Sequence, residues 1–195
     1  MPKSNTQPYH HGDLHRVLVE AALDMLQEDK GGQFTLREIA RRAGVSHAAP
    51  YRHFSDKVAL LAEVAEVGFE KMGEQLTAAI QENVSVEEQL IAIGKAYINF
   101  GISNPALYQL MFSPDTEEQE DERAMATLNI LITLLKRGQD EGTFKICPIQ
   151  GQAAACCAIV HGLTLLAING LLVPKKFGET PIESALATLL EGIAA

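Results

Sequence analysis

Four helix starts fall between Leu14 and Asp56, and so dense a set of caps and turns confines this part of the chain to short, packed helices. Leu14, Leu18, Ala21, Ala22 and Met25 lie on one helical face, and Lys30-Gly31-Gly32 ends that helix. Thr35-Leu36-Arg37-Glu38 reads as a capping box: the Thr35 hydroxyl accepts an amide proton, Glu38 reaches back, and a short helix runs to about Ala43. Gly44 then makes a turn. Ser46 is expected to cap a third helix through Phe54, and Ser55-Asp56 a fourth, which Val58, Leu61, Val64 and Ala65 carry to about Gln81.

The helical period continues. Val86, Leu90, Ile93, Tyr97 and Phe100 mark one helix, Ser103-Asn104-Pro105 breaks it, and a short helix covers 106–112. An acidic loop, 113–122, precedes a helix marked by Met125, Leu128, Ile132 and Leu135, and two more are expected at about 150–173 and 181–194. The expected fold is all-α, with about nine helices and no strand. At 195 residues and 47% hydrophobic, the chain can bury a real core, which excludes a disordered tail.

Residues 146–174 contain no Asp, Glu, Lys or Arg, a run long enough to be scanned as a membrane span. Gln150, Gln152, His161, Thr164 and Asn169 interrupt it, so the expectation is a central helix buried in soluble protein, with no membrane partner. The first residues, MPKSNTQPYHH, hold no apolar run that could form a signal-peptide core, and the three cysteines, 147, 156 and 157, form no disulfide framework. A cytoplasmic protein with reduced thiols is expected.

Charge is unevenly placed. The net charge is −9, yet residues 1–57 hold eight Lys or Arg against seven Asp or Glu, and 37–57 hold five against two. An acidic body with a locally basic segment can meet a polyanion in one orientation.

TLREIARRAGVSHAAPYRHF has the proportions of a helix-turn-helix, with Ile39, Ala40, Val45 and Phe54 facing inward. His47 and Tyr51, and Ala48 and Arg52, are i,i+4 pairs on the outward face of the third helix. A solvated helical hairpin is the plain alternative. IARRAGVSHAAPYRHFSDKVALL, within a match from about Leu14 to Leu61, resembles the TetR family of transcriptional regulators. The resemblance implies phosphate contacts from Thr35, Ser46, Tyr51, His53 and Lys57, and base-edge contacts from Arg37 and His47-Ala48-Ala49, with Arg52 beside them. Arg37 can fork onto guanine, whereas alanine methyls can only meet a thymine methyl or permit close approach. Arg41 and Arg42, a basic pair on a short helix, are expected to be solvated, with phosphate contact the lesser alternative. Pro50 stands where the family usually has leucine or isoleucine; it removes a helical hydrogen bond, so a tight or irregular start to the reading helix is expected.

NPALYQLMF (104–112) and Val160-His161-Gly162-Leu163 resemble the TetR C-terminal type named for a Trp-x-x-x-His-Gly signature, with Cys157 at the tryptophan position. The resemblance implies an effector-binding domain that dimerises through its last two helices. Tyr97, Phe100, Tyr108, Met111, Phe112, Met125, Leu128 and Cys157 are candidate cavity walls, with Asn129 and His161 as polar anchors; core packing is the alternative for each. Val160, Leu163, Ala167, Leu171, Ile182, Leu186, Leu189 and Ile193 are the candidate dimer seam.

Cys156-Cys157 near His161 invites a thiol or metal sensor, or a Cys-His nucleophile. Adjacent helical residues point about 100° apart and no further ligand spacing lies nearby, so no metal, cofactor or catalytic residue is expected. The reading is a DNA-binding head, 1–57, and an effector-binding and dimerising body, 58–195. The resemblance then implies a homodimeric repressor that binds a palindromic double-stranded operator, and the expected release is by a small molecule acting through the helix at 58–81. A redox regulator using Cys156 or Cys157 is the alternative, and a small helical Cys-His enzyme the non-regulator one.

Overall fold

The computed structural model describes residues 11–28, 34–114 and 122–195. The Lys30-Gly31-Gly32 helix stop and most of the acidic loop lie outside the described residues. Every named element is helical: α1 (His11–Glu28), α2 (Leu36–Arg42), a 3-10 turn (Pro50–Arg52), α3 (Lys57–Ala79), α4 (Val86–Ser103), α5 (Pro105–Met111), α6 (Glu122–Asp140), α7 (Ile149–Ile168), α8 (Pro174–Phe177) and α9 (Pro181–Ile193). Among the described residues the one β-type contact is an isolated antiparallel bridge between Phe144 and Ala194.

The local chemistry that starts and stops these helices is largely as expected. Thr35 and Glu38 close a reciprocal capping box, with the Thr35 backbone N–H donating to Glu38 Oε2 at 2.7 Å and the Glu38 N–H donating to the Thr35 hydroxyl at 3.3 Å. Gly44 turns the chain at φ 69°, a left-handed conformation that suits glycine, and the Val45 N–H returns to the Ala40 carbonyl at 2.9 Å. Asp56 caps α3 by accepting from the Ala59 N–H at 2.9 Å. A second capping box, Ser85 with Glu88, starts α4.

Two segments depart from expectation. The third helix is not α-helical: residues 47–49 form a turn that leads into the 3-10 turn Pro50–Arg52, and Ser46 makes no side-chain cap. Pro50 has no N–H to offer the Ser46 carbonyl, which accepts instead from the Ala49 N–H at 2.9 Å, three residues on. The helix expected to reach Val173 ends at Ile168, because Gly170 adopts φ 67° and the Leu171 N–H closes back on the Leu166 carbonyl at 2.7 Å.

α3 is the spine, packing against α1 in the head and against α4, α5 and α6 in the body. Val58, at its exposed start, faces solvent, while Leu60, Val64, Ala65, Phe69, Met72 and Leu76 are buried. One hydrophobic cluster runs from Leu14 and Leu18 in α1 through α3 to Leu189 and Ile193 in α9. The head therefore shares its core with the body.

Candidate nucleic-acid interface and effector cavity

In the head, Ile39, Ala40 and Phe54 are buried between α1, α2 and the 3-10 turn. That packing presents Arg37, Arg41, Ser46, His47, Ala48, Tyr51 and Arg52 to solvent. Tyr51 is 55% exposed, so both its ring and its hydroxyl are accessible. Lys57 sits at the first position of α3 with its ammonium 4.8 Å from the centre of the Phe34 ring, a cation–π contact that aims the side chain. His53 is half-buried, edge-on to His15 across 6.0 Å.

Three head residues are not placed as the sequence suggested. Ala49 is 7% exposed and packs into the core, because the tight turn before Pro50 rotates it inward; it has no methyl to offer a base. The Thr35 hydroxyl is engaged in its cap, donating to Glu38 at 2.9 Å, so a phosphate would have to compete for it. Arg42 forks onto both carboxylate oxygens of Glu28, tying α2 to α1, and the pairing holds the Glu28 carboxyl below its usual range. Sequence reasoning could not find that tie, since fourteen residues separate the partners.

In the body, a cavity of about 490 Å³ opens between five helices and the end of α5. Phe69, Met72 and Leu76 of α3 form one wall, and Leu90, Ile91, Ile93, Gly94 and Tyr97 of α4 the next. Ala124, Met125, Thr127, Leu128 and Leu131 come from α6, and Cys156, Cys157, Ala158, Val160 and His161 from α7. Leu186 and Leu189 of α9 and Phe112 after α5 complete it. Among the described residues the lining is apolar with few polar groups and contains no Asp, Glu, Lys or Arg.

Tyr97, Phe112, Met125, Leu128, Cys157 and His161 are thus where the sequence put them. Phe100, one turn beyond Tyr97, which is the last lining residue of α4, and Met111 of α5 are buried in the core, and Asn129 faces solvent. Tyr108 stands just behind the wall, fully buried: its hydroxyl is 2.7 Å from His161 Nδ1 and 3.0 Å from the Tyr97 hydroxyl. Burial raises the pKa of both phenols and lowers that of His161, so all three groups are neutral at neutral pH. The Thr127 hydroxyl, also in the wall, donates back to the Phe69 and Arg123 carbonyls at 3.1 and 2.9 Å. The α3 contribution went unseen in the sequence, although Phe69, Met72 and Leu76 hold the spacing of one helical face.

Burial also decides the cysteines. Cys156 is 2% exposed with its thiol pushed up to about 11, and burial raises Cys157 as well, which opposes the thiolate that oxidation requires. No metal-ligating cluster is found among the described residues.

Half of the suggested dimer seam is internal. Val160, Leu186, Leu189 and Ile193 are buried within one chain, Leu163, Ala167 and Ile182 are partly buried, and Leu171 is exposed in the turn after α7. The outward face of α7 is instead Gly151, Ala154, Ala155 and Ala158. Nor is α7 the buried central helix expected: its most apolar window has mean hydropathy 1.7, and 28% of it is buried within one chain.

Residues 18–64 match the bacterial regulatory proteins of the tetR family, and residues 90–191 match the tetracyclin repressor-like C-terminal domain. The chain belongs to the TetR family. The uncharacterized HTH-type transcriptional regulator YobS of Bacillus subtilis is 24% identical over 184 residues, 93% of either chain. Nucleoid occlusion factor SlmA of Marinomonas sp. is 28% identical over 111 residues, and the match spans 56% of that protein, just over half. A solved structure of a protein of unknown function from Rhodococcus sp. RHA1 superposes with TM-score 0.82 at 33% identity, covering 97% of this chain and 100% of that one. FadR of Bacillus subtilis, solved with stearoyl-CoA, shares the fold with TM-score 0.72 at 19% identity, over 92% and 99% of the two chains. This TetR protein is therefore a helix-turn-helix transcriptional regulator and not an enzyme.

Proposed function

We propose that this regulator is a cytoplasmic homodimeric repressor, binding a palindromic operator through its two heads and released by a small molecule in the body cavity. One observation carries the reading: α3 begins with Lys57 beside the DNA-facing turn and, through Phe69, Met72 and Leu76, forms a wall of the cavity. A ligand that moves this wall tilts the helix on which the head is mounted. The two heads must match half-sites set about one helical turn of DNA apart, so a small tilt costs several contacts at once. The head comprises about residues 1–57 and the body the remainder, with α3 shared between them.

The α7 face supports the dimer. A helix this apolar with so little of it buried calls for a cover, and glycine and alanine at 151, 154, 155 and 158 let a second helix approach closely. An isologous pairing of α7 and α9 with a second copy provides it.

The test is operator binding by full-length protein on duplexes recovered from a random pool, with and without small apolar molecules. Leu128→Trp fills the cavity; it should bind operator as the parent does and ignore every releasing molecule. A Leu128→Trp variant that is released like the parent sinks the reading.

A further inference from the structure

Three neutral groups close one side of the cavity, and they are joined to one another. The Tyr108 hydroxyl lies 2.7 Å from His161 Nδ1 and 3.0 Å from the Tyr97 hydroxyl. Tyr97 and His161 line the cavity, and Tyr108 is sealed behind them. Two phenols and a neutral imidazole carry one N–H or O–H hydrogen apiece, and two hydrogen bonds consume two of the three. Run in either direction, the chain ends on Tyr97 and His161 Nε2 with one hydrogen to give and lone pairs to accept. If Tyr97 donates to Tyr108, which donates to Nδ1, Nε2 carries the spare hydrogen. If the order reverses, Tyr97 carries it and Nε2 accepts.

No other polar atom competes for a ligand on equal terms. The Thr127 hydroxyl turns its one hydrogen toward backbone carbonyls and keeps only lone pairs to offer, and Cys156 and Cys157 offer weak thiols. Among the described residues no cation lines the cavity to pair with an anion, and no carboxylate to pair with an amine. A buried ion would lose its hydration with nothing to replace it.

We infer that the effector is an uncharged, mostly apolar molecule with one small neutral polar group, a hydroxyl, ketone or ester, held by the Tyr97–Tyr108–His161 chain. This rests on the cavity being the effector site. Fatty acids, phosphorylated molecules and amines are then excluded as buried ligands, whatever the length of their apolar part. Because the chain can reverse its hydrogens, donors and acceptors are both accommodated, and the site selects on charge before it selects on hydrogen-bond type.

The experiment displaces N-phenyl-1-naphthylamine, an apolar dye, from the full-length protein at neutral pH with four probes of one chain length: methyl decanoate, 1-decanol, decanoate and decylammonium. The ester and the alcohol should bind at least about tenfold more tightly than either ion. His161→Phe keeps an aromatic ring against Phe112 and removes one end of the chain; it should retain the dye and bind ester and alcohol up to about tenfold more weakly. His161→Gln, which keeps a donor and an acceptor, should recover part of the loss. If His161→Phe does not fold, Tyr97→Phe tests the other end with the same expectation. Decanoate binding as tightly as its ester, no displacement by any probe, or variants that retain the dye and leave ester affinity unchanged would each overturn the inference. Operator release is read separately: selective binding of the neutral probes without release leaves the ligand class standing and removes the regulatory reading.

Discussion

A side-chain carbon added at Gly68 in α3 would lie 2.6 Å from the sulfur of Met111 in α5, closer than two such atoms can approach. The two helices meet there because one of them has no side chain. α5 also carries Tyr108, so its place against the spine and its place behind the cavity wall are fixed together.

Gly68→Ala should therefore destabilise the protein by about 1–3 kcal/mol, the usual result of overpacking a filled core. In a Met111→Ala background the same substitution should cost clearly less, since only the Leu107 methyl, 3.1 Å away, still crowds the new carbon and alanine is favoured over glycine within a helix by up to about 1 kcal/mol. Denaturant titration of the four proteins checks it, and additive effects would refute the close contact.

Arg37 and Lys57 should fail differently on DNA. Arg37 is exposed on the first turn of α2 and can reach a base edge, so Arg37→Ala should relax preference at one base pair and cost about 1–3 kcal/mol there. Lys57→Ala should weaken all sequences alike and reduce the salt dependence of binding by about one phosphate contact. Affinities on operator variants at two salt concentrations distinguish them; uniform loss in both would remove Arg37 from base reading.

Acid should loosen α2 before it unfolds the body. The Thr35 backbone and hydroxyl hold the Glu38 carboxyl below its usual range, and Arg42 does the same for Glu28. A carboxylate whose pKa is depressed on folding stabilises the fold above its unfolded value and loses that contribution as pH falls through the folded one. Thermal melts of Glu38→Gln should thus lie below the parent at pH 7, and the gap should close as pH falls below about 4.

Ala155, on the outward face of α7 and away from the cavity lining, tests the dimer. Ala155→Glu should sediment as a monomer and bind a palindromic operator far more weakly while keeping the parent's helical signal. A dimer that survives the substitution would place the seam elsewhere.

The head was legible because its signals are local. Thr35 with Glu38, Gly44 and Asp56 each act within a turn of the chain, and each does in the structure what its residue type implies. The body was legible only as helices. Whether an apolar residue such as Val160 or Leu186 faces a cavity, a core or a partner depends on how five helices are rotated about one another, which sequence spacing leaves open. Hence Phe100, Met111 and Asn129 were drawn into the cavity, and Phe69 and Met72 left out. The Arg42–Glu28 tie was hidden for the same reason, since nothing local joins its ends.

Pro50 leaves a single 3-10 turn where two turns of α-helix would otherwise lie. A longer helix sets several side chains in step with successive base edges; here Ser46, His47, Ala48, Tyr51 and Arg52 crowd onto one tight bend, and Ala49 is withdrawn. In the proposed complex each half-site then carries little information. Discrimination falls on the separation of the half-sites and on how readily the DNA between them takes the required groove width. A repressor of this kind tolerates many spellings of its operator, and single base changes that keep the spacing would alter its set of target genes slowly.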